Sequence, residues 1–353
     1  MTVLIKILQF LLSLSILVVI HELGHFVMAK LFKTRVEKFY LFFDAWFSLF
    51  KFRKGETEYG IGWIPLGGYV KISGMIDESM DKEQMKQPPQ PYEFRSKPSW
   101  QRLLIMVGGV IFNFILALIL FVSVLFVWGE TYLPTSGAKY GIVTDSVGYS
   151  IGLRNGDKIL TVDNKYIEEF YDISKDIVLN NRQSIQVLRG IDTLNITIPP
   201  DYIAKMVKGK GMIDVRTPFS PMTVSKFSKE SPSEAAGILK GDVITGLDSV
   251  KFAFSDEFSE YLTSKRNETV VVNLLRDNNI TNIPVTVAST GLLGLKLSIS
   301  GTEDMFEWKT NTYGFFESIP AGITKGFTTI KDYLKQFKLI FSRETKGYES
   351  LGG

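Results

Sequence analysis

The 353-residue sequence has no cysteine and only two histidines, and its charges nearly cancel, with 40 Lys and Arg against 37 Asp and Glu. Without cysteine there can be no disulfides and no thiolate ligands, so any metal site must be made of histidine and carboxylate. The absence leaves the compartment open, since reducing and oxidising sides both tolerate it. A formal net charge of +3 supplies no strongly basic or acidic surface, and no nucleic-acid partner is expected. Charge is also scarce within two long stretches, and there its absence is informative.

Residues 7–29 form an apolar run between Lys6 and Lys30, and residues 103–128 form a second with no ionisable side chain. Each is long enough to cross a bilayer as a helix. A cleaved signal peptide is the bland alternative for the first. The run is too long for that, and no small-x-small cleavage site follows it. Lys30, Lys33, Arg35 and Lys38 follow the first run, and Arg95, Lys97 and Arg102 precede the second. The excess of Lys and Arg places residues 33–102 in the cytoplasm, and the short N-terminus and everything after Trp128 outside.

Between the spans, residues 36–74 are rich in aromatic and β-branched residues with Gly-Gly and Gly-x-Gly punctuation, the pattern of short strands and hairpins lying against the membrane. Residues 79–98 hold charges, Gln and four prolines and read as a flexible linker. After the second span the chain repeats itself. Ile151-Gly152-Leu153-Arg154-Asn155-Gly156-Asp157-Lys158-Ile159 reappears as Ala236-Gly237-Ile238-Leu239-Lys240-Gly241-Asp242-Val243-Ile244. The register persists through Asp163 and Asp248, and Val187-Leu188-Arg189 returns with a small slip as Leu274-Leu275-Arg276. Each copy reads as strand, short helix, Gly-Asp turn, strand, then helix and strands, with Asp holding nearby backbone in the turn. The Gly-Leu-x-x-Gly-Asp-x-Ile element resembles that of PDZ domains. Two such domains, β-rich and α+β, are expected over 132–205 and 211–300. Residues 312–342 carry apolar residues at helical spacing with Glu and Lys between them. This predicts an amphipathic helix, or two broken near Pro320 and Gly322, packed on protein or lying in the membrane interface with lipid as its partner.

Both histidines fall inside the first run, in His21-Glu22-Leu23-Gly24-His25. Positions i and i+4 share a helix face, so the two imidazoles can hold one metal ion. Glu22 between them can act as general base on a metal-activated water. The bland reading is a chance five-residue match. Against it stands the cost of placing two imidazoles and a carboxylate in a membrane span unless they are paired or metal-bound. Catalytic zinc ordinarily takes three protein ligands, and no third histidine exists. Asp44 is the nearest aspartate after the run, with nothing in its context to recommend it.

Taken together the chain resembles the bacterial site-2 proteases, zinc intramembrane metalloproteases, and in particular the sigma-E-regulating branch with tandem PDZ domains. The zinc helix is carried by residues 20–26. A membrane-associated β-loop is carried by Ile64-Pro65-Leu66-Gly67-Gly68-Tyr69-Val70-Lys71. The start of the second span is carried by Lys97, Gln101, Arg102, Gly108, Asn113 and Phe114. The resemblance implies Zn2+ on His21 and His25, Glu22 as catalytic base, and a substrate contacted by Gly67, Gly68, Tyr69 and Asn113. Gly67-Gly68 is at least a hairpin turn, and the implied role adds strand pairing with an unwound substrate. Asn113 reads equally as a helix–helix contact. The implied fold is a transmembrane helical core with a membrane-associated hairpin region and two extracytoplasmic PDZ-like domains, in the bacterial inner membrane. The implied substrates are single-span proteins such as anti-sigma factors, or signal-peptide remnants, with the PDZ pair as a size filter. Members of the family continue into further spans that supply a third ligand through an Asn-x-x-Pro…Leu-Asp-Gly segment. Here Leu-Asp occurs only as Leu247-Asp248, and 343–353 read as a truncated end. The competing expectation is therefore a non-catalytic PDZ membrane adaptor or an inactive truncated protease.

Overall fold

Two helices run the length of the apolar stretches and form the frame of the first of two structural units, residues 1–128 with 313–327. The computed structural model describes residues 2–75, 88–208, 211, 213–299 and 305–342. Helix α1 (Thr2–Leu31) and helix α2 (Ser99–Trp128) are the two described helices long and apolar enough to cross a membrane, with mean hydropathies of 2.6 and 3.0. They meet at glycine. A Cβ on Gly108 would stand 2.7 Å from the Gly24 carbonyl oxygen, so only residues without side chains let the two backbones approach this closely.

Strands β1 (Val36–Lys54) and β2 (Thr57–Ile72) form one long hairpin turned at Gly55, rather than several short ones. The hairpin folds over itself. Lys38, Phe39, Tyr40 and Leu41 are each partnered twice, by residues 58–61 and by residues 68–71. Residues 38–41 therefore lie between two stretches of β2. Residues 68–72 have no other described strand beside them. Val36, Val70 and Ile72 are buried with Ala29 of α1 and Ile105 of α2, which fixes the hairpin against both helices.

The expected linker needs correction where it is described. Residues 79–87 lie outside the described residues, but the following stretch is docked. The Arg35 amide donates to the Tyr92 carbonyl, the Phe94 amide donates to the Ser73 carbonyl, and buried Glu93 receives Arg95 Nε at 2.5 Å. Backbone bonds of that kind to a strand end are incompatible with a free linker. The expected truncated end, 343–353, also lies outside the described residues.

The second unit, residues 129–312 with 328–353, holds the two repeats. After β3 (Glu130–Tyr132), the first module comprises β4 (Ile142–Thr144), α3 (Ser146–Ser150), β5 (Lys158–Val162), α4 (Asp172–Asn180), β6 (Ser184–Arg189), β7 (Asp192–Thr197), α5 (Pro200–Val207) and β8 (Ile213–Val215). Strand β8 belongs to this module, beyond the expected limit at 205. It pairs Val215 with Ile142, and both Ile213 and Val215 enter the first core. The second module comprises β9 (Met222–Phe227), α6 (Pro232–Ala235), β10 (Val243–Leu247), α7 (Ser255–Ser264), β11 (Thr269–Arg276), β12 (Asn279–Thr286) and β13 (Leu295–Ile299). Its strands make one sheet in the order β12-β11-β10-β9-β13.

The repeated residues perform the same act in both copies. Asp157 receives Arg189 through Nε and Nη2 at 2.7 and 2.8 Å and the Arg154 amide at 2.9 Å. Asp242 receives Arg276 at 2.8 and 2.6 Å and the Leu239 amide at 2.8 Å. Each arginine also donates to the carbonyl of the repeat's glycine, Gly152 or Gly237. Strand β14 (Lys309–Asn311) pairs with β3. Helix α8 (Phe315–Ile340) is continuous through Pro320. Its first half sets Gly322 and Gly326 against Val122 and Leu118 of α2. Its second half ties Asp332 to Lys175 at 2.8 Å and Lys335 to Asn180 at 2.6 Å.

Candidate metal centre

Helix periodicity puts His21 and His25 one turn apart on the same face of α1, and their Nε2 atoms stand 3.1 Å from each other. The far side of each ring is held by α2. His25 Nδ1 lies 2.7 Å from the Ile105 carbonyl oxygen. A carbonyl only accepts, so Nδ1 carries the proton and Nε2 presents a lone pair. His21 Nδ1 lies 3.4 Å from Asn113 Nδ2, while Asn113 Oδ1 is buried with no hydrogen-bond partner. Turned end for end, that amide accepts from Nδ1–H of His21, and both Nε2 lone pairs then point at one place. Gly109 makes room for the arrangement, since a Cβ there would stand 2.6 Å from His21 Nε2.

The imidazoles open with Glu22 into a cavity of about 840 Å³. Its other wall comes from the hairpin, with Lys38, Phe43, Asp44, Gly68, Tyr69 and Val70 among the lining residues. Gly68 packs close against the helix. A Cβ on it would sit 2.7 Å from the Tyr40 carbonyl oxygen, 3.3 Å from Val18 and 3.7 Å from Glu22 Cγ. Residues 68–72, with no described strand on their outer side, line the cavity together with Glu22.

Sequence-expected site residues therefore divide. His21, Glu22, His25, Gly68 and Tyr69 line one cavity. Asn113 is placed behind His21, as a contact between helices. Gly67 stands off the cavity wall, packed so that a Cβ would meet the Phe43 ring at 3.0 Å. Asp44 lines the same cavity, where its carboxylate is engaged by the hairpin. The Tyr69 hydroxyl donates to its Oδ1 at 2.9 Å, and Lys38 Nζ lies 3.8 Å from Oδ2. Burial and then this carboxylate hold the Tyr69 hydroxyl far above the usual tyrosine range. Among the described residues no group of three His, Cys, Asp or Glu side chains gathers to hold a metal ion. The donor set fits two positions of a metal site, both imidazole, with a carboxylate beside them. The Ile105 carbonyl was beyond reach of sequence reasoning because backbone atoms leave no signature. The Asp44–Tyr69 pair was beyond reach because its members are 25 residues apart.

A model of peptidase family M50 matches residues 9–353. The chain belongs to this family, that of the site-2 proteases. M50 proteases are membrane proteins, in keeping with the two apolar helices. A protein of Rickettsia conorii provisionally named a zinc metalloprotease is 34% identical over 200 residues, 56% of this chain and 54% of its own length. One of Clostridium acetobutylicum with the same provisional name is 37% identical over 55% of this chain and 53% of its own length. The metalloprotease MmpA of Caulobacter vibrioides is 30% identical over 60% and 56%. The chain thus spans about half the length of the curated relatives it matches. The PDZ domain of an SdrC-like protein from Listeria monocytogenes, 24% identical, covers 26% of this chain and 96% of its own with a TM-score of 0.21. At that score it carries no weight for the fold of the modules.

Proposed function

We propose that this protein is a zinc-dependent endopeptidase that cuts single-span membrane proteins within the bilayer. The observation that carries the reading is the pair of Nε2 atoms 3.1 Å apart, fixed from behind by α2 and sharing a cavity with Glu22. His21 and His25 would hold zinc, which when bound supplies a Lewis acid for attack of water on a peptide carbonyl. Glu22 takes the proton from the attacking water and delivers it to the leaving amine. An unwound substrate strand pairs with residues 68–72, whose outer edge passes Glu22, and main-chain bonds there hold the scissile peptide extended. Lysine and arginine flanking α1 and α2 favour a bacterial inner-membrane protein with the hairpin cytoplasmic and the two PDZ-like modules extracytoplasmic. There the modules would meet anti-sigma factors or signal-peptide remnants and exclude bulky ones.

Glu22→Gln is nearly isosteric and leaves both imidazoles in place. In the complete membrane-embedded protein it should retain zinc, measured by metal analysis, and lose cleavage of a model transmembrane substrate by at least about a hundredfold. Undiminished cleavage would remove the general-base role. Zinc and peptide binding without cleavage in the unsubstituted protein would favour the adaptor reading instead.

A further inference from the structure

We propose that Asp44 is a positioning residue for the substrate strand, acting through Tyr69, and not a ligand of the metal. The inference rests on the protease reading of the same cavity. Tyr69 follows Gly68, where an added Cβ would stand 3.7 Å from Glu22 Cγ. Its ring is clamped on both sides, stacked on Tyr40 at 5.3 Å and 14° and on Phe43 at 6.2 Å and 9°. Its hydroxyl donates to Asp44 Oδ1 at 2.9 Å. Stacking alone would leave the ring free to slide in its plane, and the hydroxyl bond removes that freedom.

The irregular stretch of β1 that carries Asp44, between Phe43 and Ser48, is itself fixed. Trp63 Nε1 donates to the Ala45 carbonyl at 2.6 Å, and the Trp63 ring stacks on Trp46 and Phe47. Phe42 and Trp46, which bracket Asp44, have φ of 65° and 70°. Residues bearing large side chains avoid that backbone region unless their surroundings impose it. A stretch of strand held in an unfavourable conformation by several independent contacts, and aimed at one hydroxyl, matches a part whose position matters more than its stability. Asp44 thus anchors the backbone of Gly68 and Tyr69, the stretch against which a substrate strand would register beside Glu22.

The test uses the complete protein in membranes or nanodiscs, with four variants: Asp44→Ala, Asp44→Asn, Tyr69→Phe, and Asp44→Ala with Tyr69→Phe. Zinc content, kcat and KM for a model transmembrane peptide are measured. Affinity for the same peptide is measured in a Glu22→Gln background, where no cleavage intervenes. Losing this hydrogen bond to a carboxylate should raise KM, and Kd in the Glu22→Gln background, about tenfold or more, with kcat and zinc content little changed. Tyr69→Phe should match Asp44→Ala, and the double variant should be no worse than either. Asp44→Asn keeps an acceptor for the hydroxyl and should retain most of the affinity. Loss of zinc in Asp44→Ala, or an Asp44→Asn variant as impaired as Asp44→Ala, would overturn the proposal. So would additive effects of the two substitutions. Should the unsubstituted protein bind the peptide without cutting it, the protease reading fails, while the binding series still decides the link between Asp44 and Tyr69.

Discussion

His25 and Asp157 are both polar groups held in place by hydrogen bonds from distant parts of the chain, yet the two are finished differently. Asp157 is fully buried, and both its oxygens are satisfied, by Arg189 and by the Arg154 amide. Asp242 repeats this with Arg276 and Leu239. Both oxygens of each carboxylate are engaged within its own module, and what they accomplish is the shape of a turn. His25 is held from outside the motif through one nitrogen, by Ile105, and its other nitrogen stands 3.1 Å from His21 Nε2 at the wall of a cavity. A polar group that is fully satisfied serves architecture, while one secured on a single side is available for chemistry. Residue type does not separate the two cases; completeness of bonding does.

The comparison breaks most completely where α1 and α2 touch. Gly108→Leu would drive a side chain into the Gly24 backbone and displace the Ile105 carbonyl from His25. Zinc binding and cleavage should both be lost, while the two modules remain folded by circular dichroism and by amide exchange. Asp242→Ala should do the reverse. Removing it leaves Arg276 without its partner and frees the turn, at a cost of about 2–3 kcal/mol given that the arginine is partly exposed. Amide exchange should quicken in β10 and β11, with zinc content unaltered. Asn113→Ala lies between these extremes. It removes the group behind His21, and metal affinity should fall about 10- to 100-fold with the fold intact, read by zinc titration against a competing chelator.

The smallest effect sharpens the architectural side. Hydrogen bonds from Arg276 hold the Asp242 carboxyl below its ordinary value of 3.8. The native state therefore binds its proton less readily than the unfolded chain does. The stabilisation is complete above the ordinary carboxylate range and is lost as pH falls through the lower native value, by up to about 1.4 kcal/mol for each pH unit between the two. Unfolding of the second module followed by amide exchange should show this acid loss, and Asp242→Asn should flatten it.

Much of this protein is legible in one dimension. The two apolar runs, the five-residue motif with both histidines, and the in-register repeat of Gly-x-x-x-Gly-Asp all depend on short spacings that a helix or a turn converts directly into geometry. Helix periodicity alone brings His21 to His25. The repeat also marks the right turns, although the slipped Leu-Arg match gives no hint that Arg189 and Arg276 reach back to clamp them. The hairpin shows the limit most clearly. Its aromatic and β-branched residues announce strands, but residues 38–41 have two sets of partners, and no local pattern states which. Strand pairing is settled by burial of Val36, Val70 and Ile72 against Ala29 and Ile105, residues up to 76 apart in the chain.

The sequence by itself determined the apolar helices, the histidine pair and the duplicated turn, because each rests on contacts within a few residues. Only the tertiary structure decided that a backbone carbonyl orients His25, that Asn113 stands behind His21, that Gly68 brings a strand edge to Glu22, and that Asp44 grips Tyr69. Those relations join atoms brought together by packing across the chain, and packing distances carry no imprint on the order of residues along it.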